Sequence, residues 1–266
     1  MKPFLKWAGG KYKIVDRILS ALPKADTMVE PFVGSGAVFL NANYESYLLA
    51  DTNSDLINLY LEVQKSGDNF IDYALGLFVP ENNTEEVFYR LREEFNQCTE
   101  IRRRAALFVY LNRHCFNGLC RYNSKGRYNV PFGRYAKPKF PIEEVQNFHQ
   151  KSQKAEFILS DFRTTLRSVS GSAVVYCDPP YAPLTLTSNF SDYTQDGFSA
   201  KDQQDLALEA NALRASGIPV IVSNHDTEFT REIYSGAVIS EFKVQRFISS
   251  KASNRTKAAE MLAVFA

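Results

Sequence analysis

The short apolar runs of this chain end in ways that leave few folds open. Met28 to Phe32 runs into the glycine turn Gly34-Ser35-Gly36, Tyr47 to Ala50 stops at Asp51, and Val174 to Cys177 stops at Asp178-Pro179-Pro180-Tyr181. Each run is too short for a helix and reads as a strand, as do Glu156 to Ser160 and Ile218 to Ser223. The stretches between them carry a helical period. AVFLNA opens a helix after Gly36, Ser54 is placed to cap SDLINLYLEVQKSG with Leu56, Leu59, Tyr60 and Val63 on one face, and Ala200 to Ser216 is helical. Strands alternating with helices call for an α/β fold with a mostly parallel sheet covered on both faces. Near the end, VISEFKVQRFI and AAEMLAVF have only a polar loop between them, so they are expected to pair antiparallel at the sheet edge.

Residues 55–145 interrupt this alternation. EEVFYRLREEFNQ, with Val87, Phe88, Leu91 and Phe95 in register, and RRRAALFVYLNRH are helical, whereas CRYNSKGRYNVPFGRY is punctuated by glycines like a hairpin. The expected organisation is a sheet-bearing domain from 1–54 and 146–266, with a helical insert over 55–145 that carries a hairpin at about 116–136. The net charge of +1 conceals an uneven distribution. Ile101 to Phe140 holds ten Lys and Arg and no Asp or Glu, which leaves 21 basic against 30 acidic groups elsewhere. Phe108, Tyr110, Phe116, Tyr122, Tyr128, Phe132 and Tyr135 interleave with those cations, as do Asn112, Asn117, Asn123 and Asn129. Cations, rings and amides together suit phosphates, stacked bases and base edges. A solvated basic face is the plainer alternative, and forty residues without an acid weigh against it.

With 266 residues, 45% hydrophobic and 23% charged, the chain is sized for one or two ordinary globular domains. Its longest apolar run, Ala105 to Leu111, is too short to span a bilayer, and lysines break every apolar stretch of MKPFLKWAGGKYKIV, so a cytoplasmic protein is expected. Cys98, Cys115, Cys120 and Cys177 form no CxxC pair, and His114, His149 and His225 have no ligand spacing. All seven read as structural, and no metal is expected.

In parallel sheets, ligands bind beyond the carboxyl ends of the strands. The Gly34-Ser35-Gly36 turn lets a ligand approach the backbone, and Asp51, fifteen residues beyond Gly36, stands where an acid accepts from ribose hydroxyls. A helix cap in ADTNSD is the alternative for Asp51. Lys11 follows two glycines, but the phosphate-loop spacing is absent and Tyr12 occupies the magnesium-binding position, so that reading fails.

KWAGGK at Lys6 to Lys11, EPFVGSG at Glu30 to Gly36, ADTNSDL at Ala50 to Leu56, NGLCRYN at Asn117 to Asn123, NVPFGRY at Asn129 to Tyr135 and DPPYAPL at Asp178 to Leu184 resemble the DNA adenine methylase family nearly end to end. DPPY alone is shared by several amino methyltransferase groups, and the two insert motifs narrow the likeness. The order of cofactor glycines, recognition insert and DPPY resembles the α group of these enzymes. The resemblance implies a Rossmann-like sheet that binds S-adenosylmethionine, and methyl transfer to the N6 amine of a flipped-out adenine in GATC of double-stranded DNA; a monomer is expected. It carries over Trp7, Lys11, Phe32, Gly34, Gly36, Asp51, Phe162 and Asp178 to the cofactor, with Phe162 also readable as a core ring. To DNA it carries over Lys6, Phe116, Asn117, Leu119, Arg121, Asn129, Pro131, Arg134 and Tyr135. Phe116 stands where family members often have Tyr, so any contact through a phenol is lost. Arg121 is expected to read a guanine, with Leu119 and Pro131 suited to a thymine methyl. For Arg102, Arg103 and Arg104, phosphate contact and solvated charge both stay open.

The chemistry explains why a strand would end in DPPY. The lone pair of adenine's amino nitrogen is delocalised into the ring, so two acceptors on its hydrogens favour a tetrahedral nucleophile. Asp178 supplies a carboxylate and Pro179 a carbonyl, Pro180 holds Pro179 extended, and Tyr181 stacks on the extruded base. Two rivals remain: an amino methyltransferase acting on another DNA site, cytosine N4 or RNA, and a DNA-binding relative without catalysis. DPPY in place of SPPY disfavours cytosine, and intact Asp51, Asp178 and Tyr181 disfavour the second rival.

Overall fold

The computed structural model describes residues 1–183, 197–245 and 257–266. In chain order its elements are α1 (Val15–Ala21), β1 (Thr27–Glu30), α2 (Ala37–Asn41), β2 (Ser46–Asp51), α3 (Ser54–Ser66), α4 (Asp68–Leu75), α5 (Glu85–Gln97), α6 (Ile101–His114), α7 (Ile142–Ser152), β3 (Ala155–Leu159), α8 (Phe162–Arg167), β4 (Ala173–Cys177), α9 (Ala200–Ala215), β5 (Val220–His225), α10 (Glu228–Ile233), β6 (Val238–Gln245) and β7 (Lys257–Phe265). Leu184 of the DPPYAPL motif and residues 246–256, including the RFI end of the expected strand VISEFKVQRFI, lie outside the described residues. No described helix is long and apolar enough to cross a membrane. The residues form two compact units: Met1–Asp16, Val33–Asn43 and Asp51–Leu159 in the first, and Arg17–Phe32, Tyr44–Ala50 and Ser160–Ala266 in the second.

The second unit carries six strands in the order β2-β1-β4-β5-β7-β6. β2, β1, β4 and β5 are parallel, and β7 joins β5 and β6 antiparallel, as the missing helix near the chain's end requires. All five residues of β4 are buried, because it is paired on both edges and covered on both faces. Its core combines Val175 and Cys177 of β4, Val220 and Val222 of β5, Leu206 and Ala210 of α9, and Met261, Ala263 and Phe265 of β7. From β1 the chain proceeds to β2 on one side and to β4 on the other. The reversal in strand order therefore falls between β1 and β4, and both of their ends lead into the motifs singled out above.

The first unit is mainly helical. α6 is buried from Ala105 to Asn112 and packs against α3, α4 and α5, which explains why its sequence is apolar nearly all round. The cap of α3 is Asn53 and not Ser54: Asn53 Oδ1 accepts from the N–H groups of Asp55 and Leu56 at 3.0 and 3.2 Å, and Ser54 is already the first helical residue. The 116–136 segment runs out and back antiparallel without a continuous ladder. Only the bridges Cys115–Phe132 and Tyr122–Tyr128 form, because left-handed residues at Asn117, Gly118, Gly126 and Arg134 break the extended backbone.

Candidate active site and recognition surface

In the first unit, the Gly34 turn is pinned from three directions. The Gly34 N–H donates to Asp51 Oδ2 at 3.1 Å, the Tyr60 hydroxyl donates to the Gly34 carbonyl at 2.5 Å, and the Trp7 indole lies against its α-carbon. A side chain at Gly34 would begin 3.0 Å from Trp7 Nε1, on a backbone with φ +47°, so only glycine fits. Asp51 Oδ1 accepts from the Asn53 N–H at 2.9 Å. Asp51 thus ties the β1 turn to the start of α3, and Asn53 has taken the helix-capping role that was the alternative reading of the acid. Burial pushes the Asp51 carboxyl above the usual carboxylate range, while backbone N–H groups of Asn53, Gly34 and Thr52 pull it back. Lys11 is buried and its ammonium donates to the Gly9 carbonyl at 2.7 Å. Gly36, at φ +69°, stands at the head of α2.

The same unit gathers the residues expected to meet DNA. Asn112, buried in α6, clamps Lys6 by accepting from its N–H at 2.9 Å and donating to its carbonyl at 2.7 Å. The Lys6 stem crosses Gly118, where an added Cβ would lie 2.4 Å from it. Lys6 Nζ sits 4.3 Å above the Tyr135 ring, and the Tyr135 hydroxyl accepts from the Asn117 N–H at 2.9 Å. Burial and the nearby Arg113 lower the Lys6 pKa. Phe116 is 51% exposed, and its N–H donates to the Pro131 carbonyl at 2.8 Å. The Leu119 carbonyl accepts from the Tyr128 hydroxyl. Arg121 is exposed, with Nε donating to Asn129 Oδ1 at 2.8 Å, so its guanidinium is held at the surface with no ion pair among the described residues. Below it, the Tyr122 hydroxyl donates to Asp55 Oδ2 at 2.6 Å, and Asp55 is also held by Arg104 in a two-point contact at 2.5 and 3.0 Å.

The acid-free block is less basic in space than along the chain. Arg102 meets Glu62, Arg103 meets Glu94, Arg104 meets Asp55, Arg127 meets Glu93 and Arg134 meets Glu85. The acids come from α3 and α5, outside the block. Arg102 to Arg104 thus each face a carboxylate within the unit, Arg102 at 3.7 Å, Arg103 at 2.6 Å and Arg104 at 2.5 Å. Lys125, Lys137 and Lys139 are exposed and have no ion pair among the described residues.

In the second unit, Phe162 is 3% exposed and packs between Phe32 and Phe198 at 5.4 Å from each ring centroid. Of its two expected readings, the core one is what the packing displays. Asp178 follows β4 directly, and its Oδ1 accepts from Ser223 Oγ at 3.2 Å. The Pro180 carbonyl accepts from Gln203 Nε2 at 2.8 Å, whereas nothing among the described residues donates to the Pro179 carbonyl. The Tyr181 ring meets His225 edge-on at 4.8 Å, and its hydroxyl donates to Glu260 Oε2 at 3.3 Å. Burial, with the charges of Asp178 and Glu260, keeps the Tyr181 phenol protonated well above its usual range. Sequence reasoning missed Gln203, Ser223, Asn224 and Glu260, and set His225 aside as structural. The available signal was a run of polar residues, SNH, at the end of an otherwise apolar strand.

A family model described as D12 class N6 adenine-specific DNA methyltransferase matches residues 7–248. A DNA adenine methylase of Serratia marcescens is 54% identical over 265 residues, covering 99% of this chain and 98% of that protein. A DNA adenine methylase of Escherichia coli strain K12 is 50% identical over 264 residues, covering 99% of this chain and 95% of its own length. Among solved structures, a precorrin 8w decarboxylase of Methanobacterium thermoautotrophicum aligns with a TM-score of 0.41 and 10% identity, over 96% of this chain and 89% of that one.

Proposed function

The chain belongs to the D12 class N6 adenine-specific DNA methyltransferase family, and from that premise we propose that it takes the methyl group from S-adenosylmethionine and acts at GATC on an adenine extruded from the duplex. The observation that carries this reading is the pair of acceptors at the end of β4. Asp178 presents a carboxylate fixed by Ser223, and Pro179 presents a carbonyl that no described residue occupies. Held by these two oxygens, both amino hydrogens of adenine are drawn away from the ring plane, which frees the nitrogen lone pair for attack. Tyr181, steadied by Glu260 and His225, offers a ring face for the extruded base.

Trp7, Lys11, Gly34 and Asp51 would hold the donor, with Asp51 accepting from a ribose. The Gly34 turn fits such a ligand, because its backbone is fixed on Asp51, Tyr60 and Trp7 and carries no side chain. Bound there, S-adenosylmethionine supplies a methyl group already activated by its sulfonium. The helical insert over 55–145 would be the DNA-reading part, working as a monomer in the cytoplasm. Lys6, Phe116, Asn117, Leu119, Arg121, Asn129, Pro131, Arg134 and Tyr135 would meet the duplex. Arg134 must first leave Glu85, an exposed pair that costs little to break.

The direct test is transfer of labelled methyl from S-adenosylmethionine to duplexes containing GATC or single-base variants of it, beside cytosine-only duplexes and RNA. Label confined to adenine in GATC is the expected result, and equal labelling of the variants would remove the site assignment. Three further outcomes separate the roles. Asp51→Ala weakens S-adenosylmethionine binding measured by calorimetry and leaves DNA affinity unchanged, since the acid's proposed partner is the donor. Lys137→Ala or Lys139→Ala lowers the slope of log K against log salt by about one for any DNA sequence. Arg103→Ala leaves that slope unchanged, because Glu94 already neutralises it.

A further inference from the structure

An acid at a strand end does not aim itself, and the strand beside β4 supplies what aims this one. β5 ends in Ser223-Asn224-His225, of which Ser223 and Asn224 are fully buried and His225 is 8% exposed. Parallel pairing sets Cys177 beside Val222, so Asp178, the first residue past β4, comes level with Ser223, which is still within β5. Ser223 Oγ has Asp178 Oδ1 at 3.2 Å and the Cys177 carbonyl at 3.5 Å. A hydroxyl has one proton, and the nearer, charged acceptor takes it. The Tyr176 phenol, 2.8 Å from Ser223 Oγ, then donates to that oxygen and fixes its direction from behind.

The next two residues hold the other end of the motif. Asn224 Oδ1 accepts from the Ala182 N–H at 3.0 Å, while its Nδ2 donates to Gln203 Oε1 at 2.9 Å and to the Tyr234 hydroxyl at 3.1 Å. Gln203, oriented this way, turns its amide to the Pro180 carbonyl. His225 Nδ1 lies 2.6 Å from the Ala182 carbonyl, so that nitrogen carries the proton. The backbone on both sides of Tyr181 is thereby tied to β5.

We infer that Ser223-Asn224-His225 is a positioning element for Asp178 to Ala182: Ser223 sets the rotation of the Asp178 carboxylate, and Asn224 and His225 set the backbone that presents Tyr181. The inference rests on the reading that Asp178 accepts an amine hydrogen. These are positioning residues, because they reach the reaction only through Asp178 and Tyr181.

Single-turnover methyl transfer to a GATC duplex tests it. Ser223→Ala lowers the rate about tenfold or more, the scale of losing a hydrogen bond to a charged group. Dissociation constants for S-adenosylmethionine and duplex stay within about twofold, since Ser223 is fully buried. Ser223→Thr, which keeps the hydroxyl, restores most of the rate. In an Asp178→Ala background, adding Ser223→Ala causes no further loss, because the group it aims is gone. Should Ser223→Ala fail to fold, Ser223→Ala with Tyr176→Phe leaves no phenol unpaired and carries the same comparison. A wild-type rate in Ser223→Ala, or an equal loss with and without Asp178, overturns the positioning role. A near-normal rate in Asp178→Ala alone overturns the reading of Asp178, and the inference falls with it.

Discussion

Asp178→Ala is expected to lower methyl transfer by roughly two to three orders of magnitude, the usual scale for removing one preorganised partner of a transition state. Binding of donor and duplex should survive at least in part, because the Gly34 turn and the recognition loop are built from other residues. The loss should appear in kcat and in kcat/KM alike, since the Asp178 contact strengthens only as the amine becomes tetrahedral. Measurement is by single-turnover labelling with donor and duplex both saturating. Turnover within a few-fold of wild type would show that the Pro179 carbonyl suffices alone, and would end the two-acceptor mechanism.

The second large effect concerns sequence reading. Arg121→Ala should cost about 1 to 3 kcal/mol in binding to GATC and narrow the gap to a duplex altered at the guanine, the measure of one bidentate contact. The structure sharpens this expectation. Asn129 accepts from Arg121 Nε at 2.8 Å, so the guanidinium reaches the surface already oriented and gives up little freedom on binding. Arg121 takes part in no ion pair among the described residues, so thermal stability should hardly change. Fluorescence titration of both duplexes at several salt concentrations separates the outcomes. Equal weakening of the two would mean that Arg121 holds the backbone and reads no base.

Much of this was legible in the sequence for a local reason. Strand and helix periods are set by neighbours a few residues apart, and the residues that carry the chemistry sit next to one another in DPPY, GSG and NGLCRYN. Even the antiparallel edge could be read, since a short polar link between two strands excludes a parallel crossover. The cap of α3 was placed one residue late because Asn53 and Ser54 are both good caps, and only the backbone at Asn53 decides between them.

What sequence alone determined is therefore the family, the strand ends and the contiguous motifs, because each is written within a few residues. Tertiary structure alone decided which charges are spent and which are offered. Arg104 looks like a DNA contact until Asp55, 49 residues away, neutralises it, and ten clustered cations look like a basic face until α3 and α5 bring acids to half of them. It alone also joined Ser223 to Asp178 across 45 residues, by laying β5 beside β4. Electrostatic and hydrogen-bond energies depend on distance in space and on exclusion of water, and neither quantity exists along a chain until it has folded.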